Sequence, residues 1–228
     1  MKMLVPVCCI IAGITLFFFP IIKDYVQDKN QDQLIEQWET GSLSINEESN
    51  ILPIATRKSL TELNRTFESE LEISPVNTPI NQTKLVEPEK KEQLKPIPPN
   101  IVGIIEIPTI NLKLPILKGT SEKVLNVGAG YLEGTAYPGH EGNSAIAAHR
   151  SRTFGKMFNR LAEIHSGDEI VIETKEGLFR YVVFDKFIVK PTDISVLKNS
   201  ENEKIITLIT CHPLKNPTHR LIIKARLS

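Results

Sequence analysis

From residue 101 onward the chain predicts a mainly β fold, closed into a barrel or packed as a sandwich. Three observations carry that reading. Short apolar runs recur along the segment: Ile101–Ile107, Leu112–Ile116, Ala145–Ala148, Glu169–Glu173, Phe179–Phe184, Lys186–Val189, Ile205–Ile209 and Leu221–Ala225. Turn signals separate them, among them Pro138-Gly139, Ser166-Gly167-Asp168 and Lys175-Glu176-Gly177. Helical periodicity is confined to short stretches, so many strands with one or two short helices are expected. Met157, Phe158, Leu161 and Ile164 have helical spacing and predict a helix over 154–164. A single helical turn is expected over 193–197.

The elements before residue 101 are of another kind. Met3 to Ile22 form 20 consecutive uncharged, mostly apolar residues. That length spans a bilayer core as a helix, so residues 1–23 are expected to be a signal-anchor. The apolar run is long for a cleaved signal peptide, and no small-x-small cleavage site precedes Lys23. Lys2 lies before the span, and Asp24, Asp28 and Asp32 lie after it. The positive-inside rule therefore favours a cytoplasmic N-terminus and an extracytoplasmic remainder. Residues 24–100 then form a stalk. Tyr25, Leu34, Ile35 and Trp38 suggest a short juxtamembrane helix. Leu60, Leu63, Phe67 and Leu71 predict an amphipathic helix over 56–73, with Thr56 or Ser59 as its N-cap. That helix is either a stalk docked on the following domain or a cover for its active-site groove. Six prolines between residues 74 and 100 mark an extended linker. Residues 101–228 are expected to form the β domain.

Composition removes several function classes. The 27 basic and 27 acidic residues balance, and no basic run resembles a nucleic-acid footprint. The histidines have no metal-ligand spacing, so neither metal nor cofactor is expected. Of the three cysteines, Cys8 and Cys9 lie in the apolar span and read as lipid-facing. Cys211 remains alone, without an internal disulfide partner.

Cys211 ends the run Thr207-Leu208-Ile209-Thr210-Cys211, where a buried strand meets a loop. Arg220 opens the next apolar run, and His149 closes the run Ala145–Ala148. A thiol, an imidazole and a guanidinium at strand ends are the parts of a cysteine acyl-transfer site. With ordinary pKa values about 3% of the thiol would be thiolate at pH 7 and about 24% of the imidazole protonated. A thiolate–imidazolium pair is therefore rare unless the site favours it. Cys211 would be the nucleophile, His149 the proton donor to the leaving amine, and Arg220 the oxyanion partner. His212 borders the groove and is a candidate substrate-binding residue. His140, His165 and His219 read as peripheral, and Arg150 and Arg152 as surface charges. A buried, inert cysteine in an anchored β-domain that binds wall components is the non-enzymatic alternative, and a purely hydrolytic protease is another.

These motifs resemble the sortases, membrane-anchored transpeptidases of Gram-positive bacteria. Thr207–Cys211 matches the T-L-x-T-C signature, Arg220 the arginine after it, and Ala148-His149-Arg150 the histidine motif. Gly103–Pro108 and Leu114–Thr120 resemble the family's opening strands, and Gly128–Gly139 with Gly142-Asn143 resembles its lead-in to the histidine. The resemblance implies a closed eight-stranded barrel and no cofactor. It implies cleavage of an LPxTG-like sorting signal after threonine through a thioester, and transfer to an amine acceptor such as a peptidoglycan precursor or a pilin lysine. It also implies that Thr210 helps bind substrate or oxyanion. The Pro138-Gly139-x-x-Gly142-Asn143 turn and His149-Arg150-x-x-x-Phe154 look like class D. Thr218-His219-Arg220 looks like the pilin-polymerising class C. Glu87-Pro88-Glu89 lacks the aromatic of a class C lid, so class D is favoured.

Overall fold

The computed structural model describes residue 25 and residues 28–40, 54–69, 101–200 and 202–228. The expected membrane span and the proline-rich linker lie outside the described residues. Among the described residues, no helix is long and apolar enough to cross a membrane.

Eight strands close into a barrel. They are β1 (Ile101–Ile107), β2 (Leu112–Lys118), β3 (Ala129–Tyr131), β4 (Gly142–Ala147), β5 (Glu169–Thr174), β6 (Gly177–Val189), β7 (Lys204–His212) and β8 (His219–Leu227). Their order around the barrel is β1-β2-β3-β4-β7-β8-β6-β5. Pairing is antiparallel except for β2 with β3 and β4 with β7. Alternation sends Ile146 of β4, Ile206 and Leu208 of β7, and Leu221 and Ile223 of β8 into the barrel core. The intervening Ala145, Ala147, Ile209, Cys211 and Ile222 face the outside of the barrel. That outer surface is as apolar as the inner one and needs its own cover.

The cover is a helix. Helix α1 spans residues 28–39, α2 Ile54–Ser69 and α3 Glu122–Leu125. On α2, Leu60, Leu63 and Phe67 form one buried stripe at helical spacing. They pack on Leu125, Leu132, Ala145, Ala147, Val196, Leu197, Ile209, Cys211 and Ile222. Polar contacts seat the helix as well. Thr56 Oγ1 donates to Gly134 O at 2.7 Å, and Thr66 Oγ1 to Thr120 O at 3.2 Å. Thr120 Oγ1 answers by donating to Ser59 O at 3.0 Å. Neither expected N-cap residue occupies that position, because the helix starts earlier, at Ile54. Helix α1 lies elsewhere on the barrel, with Leu34 against Ile101 and Leu117 and Glu39 bonded to Lys113 at 2.8 Å.

Three local readings change. The two runs at 179–184 and 186–189 are one strand, β6, with an irregularity between Val183 and Asp185 in its pairing to β8. The helix expected over 154–164 is absent. Gly155 (φ 76°) and Met157 (φ 47°) are left-handed, which ends any helix, and only Leu161–Glu163 makes a short 3₁₀ turn. Met157, Phe158, Leu161 and Ile164 are apolar because all four fill the barrel core. Strand β3 escaped notice because Gly128-Ala129-Gly130 has weak strand propensity. A Cβ at Gly130 would strike the Gly119 carbonyl and come within 2.8 Å of the Leu125 side chain.

Asn143 locks the β4–β7 pair. Its Nδ2 donates to Val196 O (2.9 Å) and Lys198 O (3.1 Å), and its Oδ1 accepts from Thr207 Oγ1 (2.7 Å). Replacing it leaves buried polar groups unsatisfied. Asn143→Ala is expected to destabilise the fold by about 1–3 kcal/mol, read as a lower urea midpoint.

Candidate active site

Cys211 and Arg220 lie directly opposite one another in the antiparallel β7–β8 ladder. Strand pairing therefore fixes the thiol beside the guanidinium whatever the loops do. His149 arrives from the other side. The parallel ladder between β4 and β7 ends at Ala147 with Ile209. The backbone contact continues for one bond, from Ala148 N to Ile209 O at 3.2 Å. Side chains then take over. Thr210 Oγ1 donates to Ala148 O at 2.8 Å, and Arg150 Nη1 donates to Cys211 O at 3.3 Å. His149 is thus held between two ties to β7, and its own carbonyl accepts from Phe158 N at 3.0 Å.

Phe67 of α2 lies against both His149 and Arg220. Its ring centroid is 5.5 Å from that of His149, and the Arg220 guanidinium lies 5.0 Å from the same ring. Arg220 Nη2 donates to Asn64 Oδ1 at 3.3 Å, and Asn64 Nδ2 donates to Pro191 O at 2.9 Å. The result is a closed site: Cys211, His149 and Arg220 are 4%, 5% and 5% exposed. No peptide reaches the thiol while α2 stays seated. Helix α2 is docked on the barrel and covers these three residues.

Burial pulls the Arg220 pKa below its usual value, and the Cys211 and Glu68 charges oppose that pull. His212 is half-buried, and its Nδ1 accepts from Arg150 Nη1 at 3.0 Å. An arginine only donates, so His212 holds Nδ1 unprotonated. Burial, then the Arg150 and His219 charges, lower its pKa.

Of the expected site residues, Cys211, His149 and Arg220 converge under Phe67. Thr210, expected at substrate or oxyanion, is fully buried and spends its hydroxyl hydrogen on Ala148 O. His212 flanks the thiol on the Arg150 side. Sequence reasoning missed Arg150, which is partly buried, whereas Arg152 is exposed as expected. Its position directly after the histidine, just past the end of a parallel ladder, was the available signal. Among the described residues, no three His, Cys, Asp or Glu side chains gather into a metal site.

Comparison with known proteins decides the family. The sortase domain family matches residues 105–228. The chain belongs to the sortase family. It is 29% identical over 171 residues to sortase D of Bacillus subtilis, covering 74% of this chain and 82% of that one. It is 26% identical over 228 residues to sortase A of Listeria monocytogenes, covering all of this chain and 91% of that one. Among solved structures it superposes on sortase C-1 of Streptococcus pneumoniae with a TM-score of 0.59 and 26% identity, over 86% of this chain and 98% of that one. As a sortase it is a cysteine transpeptidase, and the closed eight-stranded barrel is the sortase fold. The relatives include A, C and D types, and class is not decided by them.

Two predictions follow from this geometry. Phe67→Ala removes a buried aromatic from the α2 seat, a change that costs about 3–5 kcal/mol in a core. Alkylation of Cys211 by a small reagent is expected to be at least about tenfold faster in the variant. An unchanged rate would show that α2 does not limit access. The second concerns pH. Because the folded pKa of His212 lies below its unfolded one, the folded state resists protonation there. Stability is whole above the ordinary histidine range and declines as pH falls through it. His212→Gln should flatten that part of the urea midpoint against pH.

Proposed function

We propose that this sortase cleaves an LPxTG-like sorting signal after its threonine and transfers the surface protein to an amine acceptor of the cell wall. The observation that supports it is the placement of Cys211, His149 and Arg220 around the ring of Phe67. A substrate peptide takes the place of that ring when α2 moves aside. The Cys211 thiolate attacks the threonine carbonyl carbon, and the carbonyl electron pair moves to oxygen. Arg220 faces that oxyanion, with Nη2 released from Asn64. The tetrahedral species collapses, the Thr–Gly bond breaks, and His149 supplies the proton that the leaving glycine amine needs. The product is a thioester on Cys211. The acceptor amine attacks the thioester, His149 takes up the proton, and the thiolate leaves.

The uncharged run 3–22 anchors the protein in the cell membrane as a single pass, with the barrel on the extracytoplasmic side. Class D, attaching proteins to the wall, is favoured over the pilin-polymerising class C. The cover of this site is the helix α2 with Phe67, and the linker sequence Glu87-Pro88-Glu89 lacks the aromatic of a class C lid.

The test uses the full chain and its Phe67→Ala variant with an LPxTG peptide, followed by mass spectrometry of Cys211. A thioester on Cys211 that converts to an amide product only when amine is supplied is the expected result. Cys211→Ala, His149→Ala and Arg220→Ala should each lower transfer by about a hundredfold or more while the barrel stays folded. Transfer that survives in Cys211→Ala would overturn the mechanism. Product that forms equally well without amine would mark a hydrolase. Preference for a lysine side chain in a pilin-like peptide over a peptidoglycan-stem amine would favour class C.

A further inference from the structure

The catalytic scheme above leaves Arg150, a charged side chain near the thiol, without a part. It follows His149 in sequence and touches the cysteine residue in space. Its Nη1 donates both to Cys211 O, at 3.3 Å, and to His212 Nδ1, at 3.0 Å. Its Nε is buried and has no hydrogen-bond partner among the described residues. Burial lowers the pKa of its guanidinium, and the Cys211 charge acts in the opposite direction. A surface arginine has no reason to accept partial desolvation beside a reactive cysteine.

The position of the tie gives it meaning. Parallel strands are joined by long connections, so no turn fixes β4 against β7. The backbone ladder between them stops short of both reacting residues. Thr210 crosses the gap on the N-terminal side of His149 and Arg150 on its C-terminal side. A small error in the separation of base and nucleophile has a large kinetic cost, about a hundredfold for about 1 Å.

We propose that Arg150 is a positioning residue of the transpeptidase: it clamps the histidine-bearing end of β4 to Cys211 and His212, sets the thiol–imidazole geometry, and places a second cation beside the thiolate. The proposal rests on the reading of Cys211 and His149 as the reacting pair. The charged and titratable groups around Cys211 are Arg220 and His219 from β8, His149 and Arg150 from the end of β4, His212 from β7 itself, and Glu68 from α2. The Arg150 side chain donates to the backbone carbonyl of Cys211 itself. Acting through position, it should affect kcat and leave KM nearly alone. Acting through charge, it should favour the thiolate.

The experiment uses the full chain and reads two quantities. One is the pH dependence of Cys211 alkylation by iodoacetamide, which needs no peptide substrate. Opening of α2 scales that rate without setting the pH at which the thiolate forms. The other is kcat and KM for peptide transfer. Arg150→Ala is expected to move the alkylation midpoint to higher pH and to lower kcat by about 10- to 100-fold, with KM changed less than about threefold. Arg150→Lys keeps the charge on a different geometry. It should restore the midpoint while kcat stays about tenfold low. Arg152→Ala removes a neighbouring exposed charge and should match the parent in both.

The proposal is overturned if Arg150→Ala leaves midpoint and kcat within about twofold of the parent. It is overturned equally if Arg152→Ala reproduces the Arg150→Ala profile, since bulk charge would then explain it. Should Arg150→Ala fail to fold, Arg150→Lys decides alone, and a parent-like kcat there defeats the clamp. A parent chain that transfers no peptide defeats the functional reading instead, and the alkylation profile still reports on Arg150.

Discussion

His149 and Cys211, the pair proposed to react, enter the site on β4 and β7, strands that run parallel and are separated in sequence by β5 and β6. A parallel pair has no hairpin to set its register, so the register comes from the ladder and from side chains at its ends. Asn143 fastens one end, through Thr207 and the carbonyls of Val196 and Lys198. Thr210 and Arg150 fasten the other. The rest of the catalytic face depends on that seam. If it slipped by one residue while the β7–β8 ladder held, period-two alternation would turn the end of β4 over and carry His149 away from Cys211.

The antiparallel partner is simpler. β8 reaches β7 through a short connection, and direct pairing puts Arg220 opposite Cys211. Arg220 is therefore fixed by the backbone, while His149 is fixed by a pair of side-chain bonds. The two have different tolerance to change. Substitutions near Thr210 and Arg150 act on the placement of His149 first, and substitutions in the β7–β8 ladder act on the fold.

How much of this could be read from the chain depends on the scale of the signal. The barrel was legible because each strand carries a run of aliphatic residues bounded by turn residues. Cys211, His149 and Arg220 were legible because strand ends are where side chains leave a packed sheet. Strand β3 was not, because tight packing against the Gly119 carbonyl demands glycine where strand propensity wants a branched residue. The 154–164 segment misled because core packing in an irregular loop can mimic helical spacing, and no local cue announces a left-handed methionine. Leu60, Leu63 and Phe67 announced a helix with an apolar face, but which surface would receive that face is a tertiary fact. Arg150 was hidden for the same reason: its partners lie more than sixty positions away along the chain.

A seated α2 also has a consequence for how the enzyme perceives its surroundings. When only the open fraction of molecules can bind, apparent affinity equals intrinsic affinity multiplied by that fraction. A closed state favoured about a thousandfold would make a nanomolar groove behave as a micromolar one. Stray peptides at low concentration would pass unnoticed, and proteins delivered in abundance beside the enzyme would be captured. On that arithmetic the ring of Phe67 would set a threshold in substrate concentration as well as cover the Cys211 thiol.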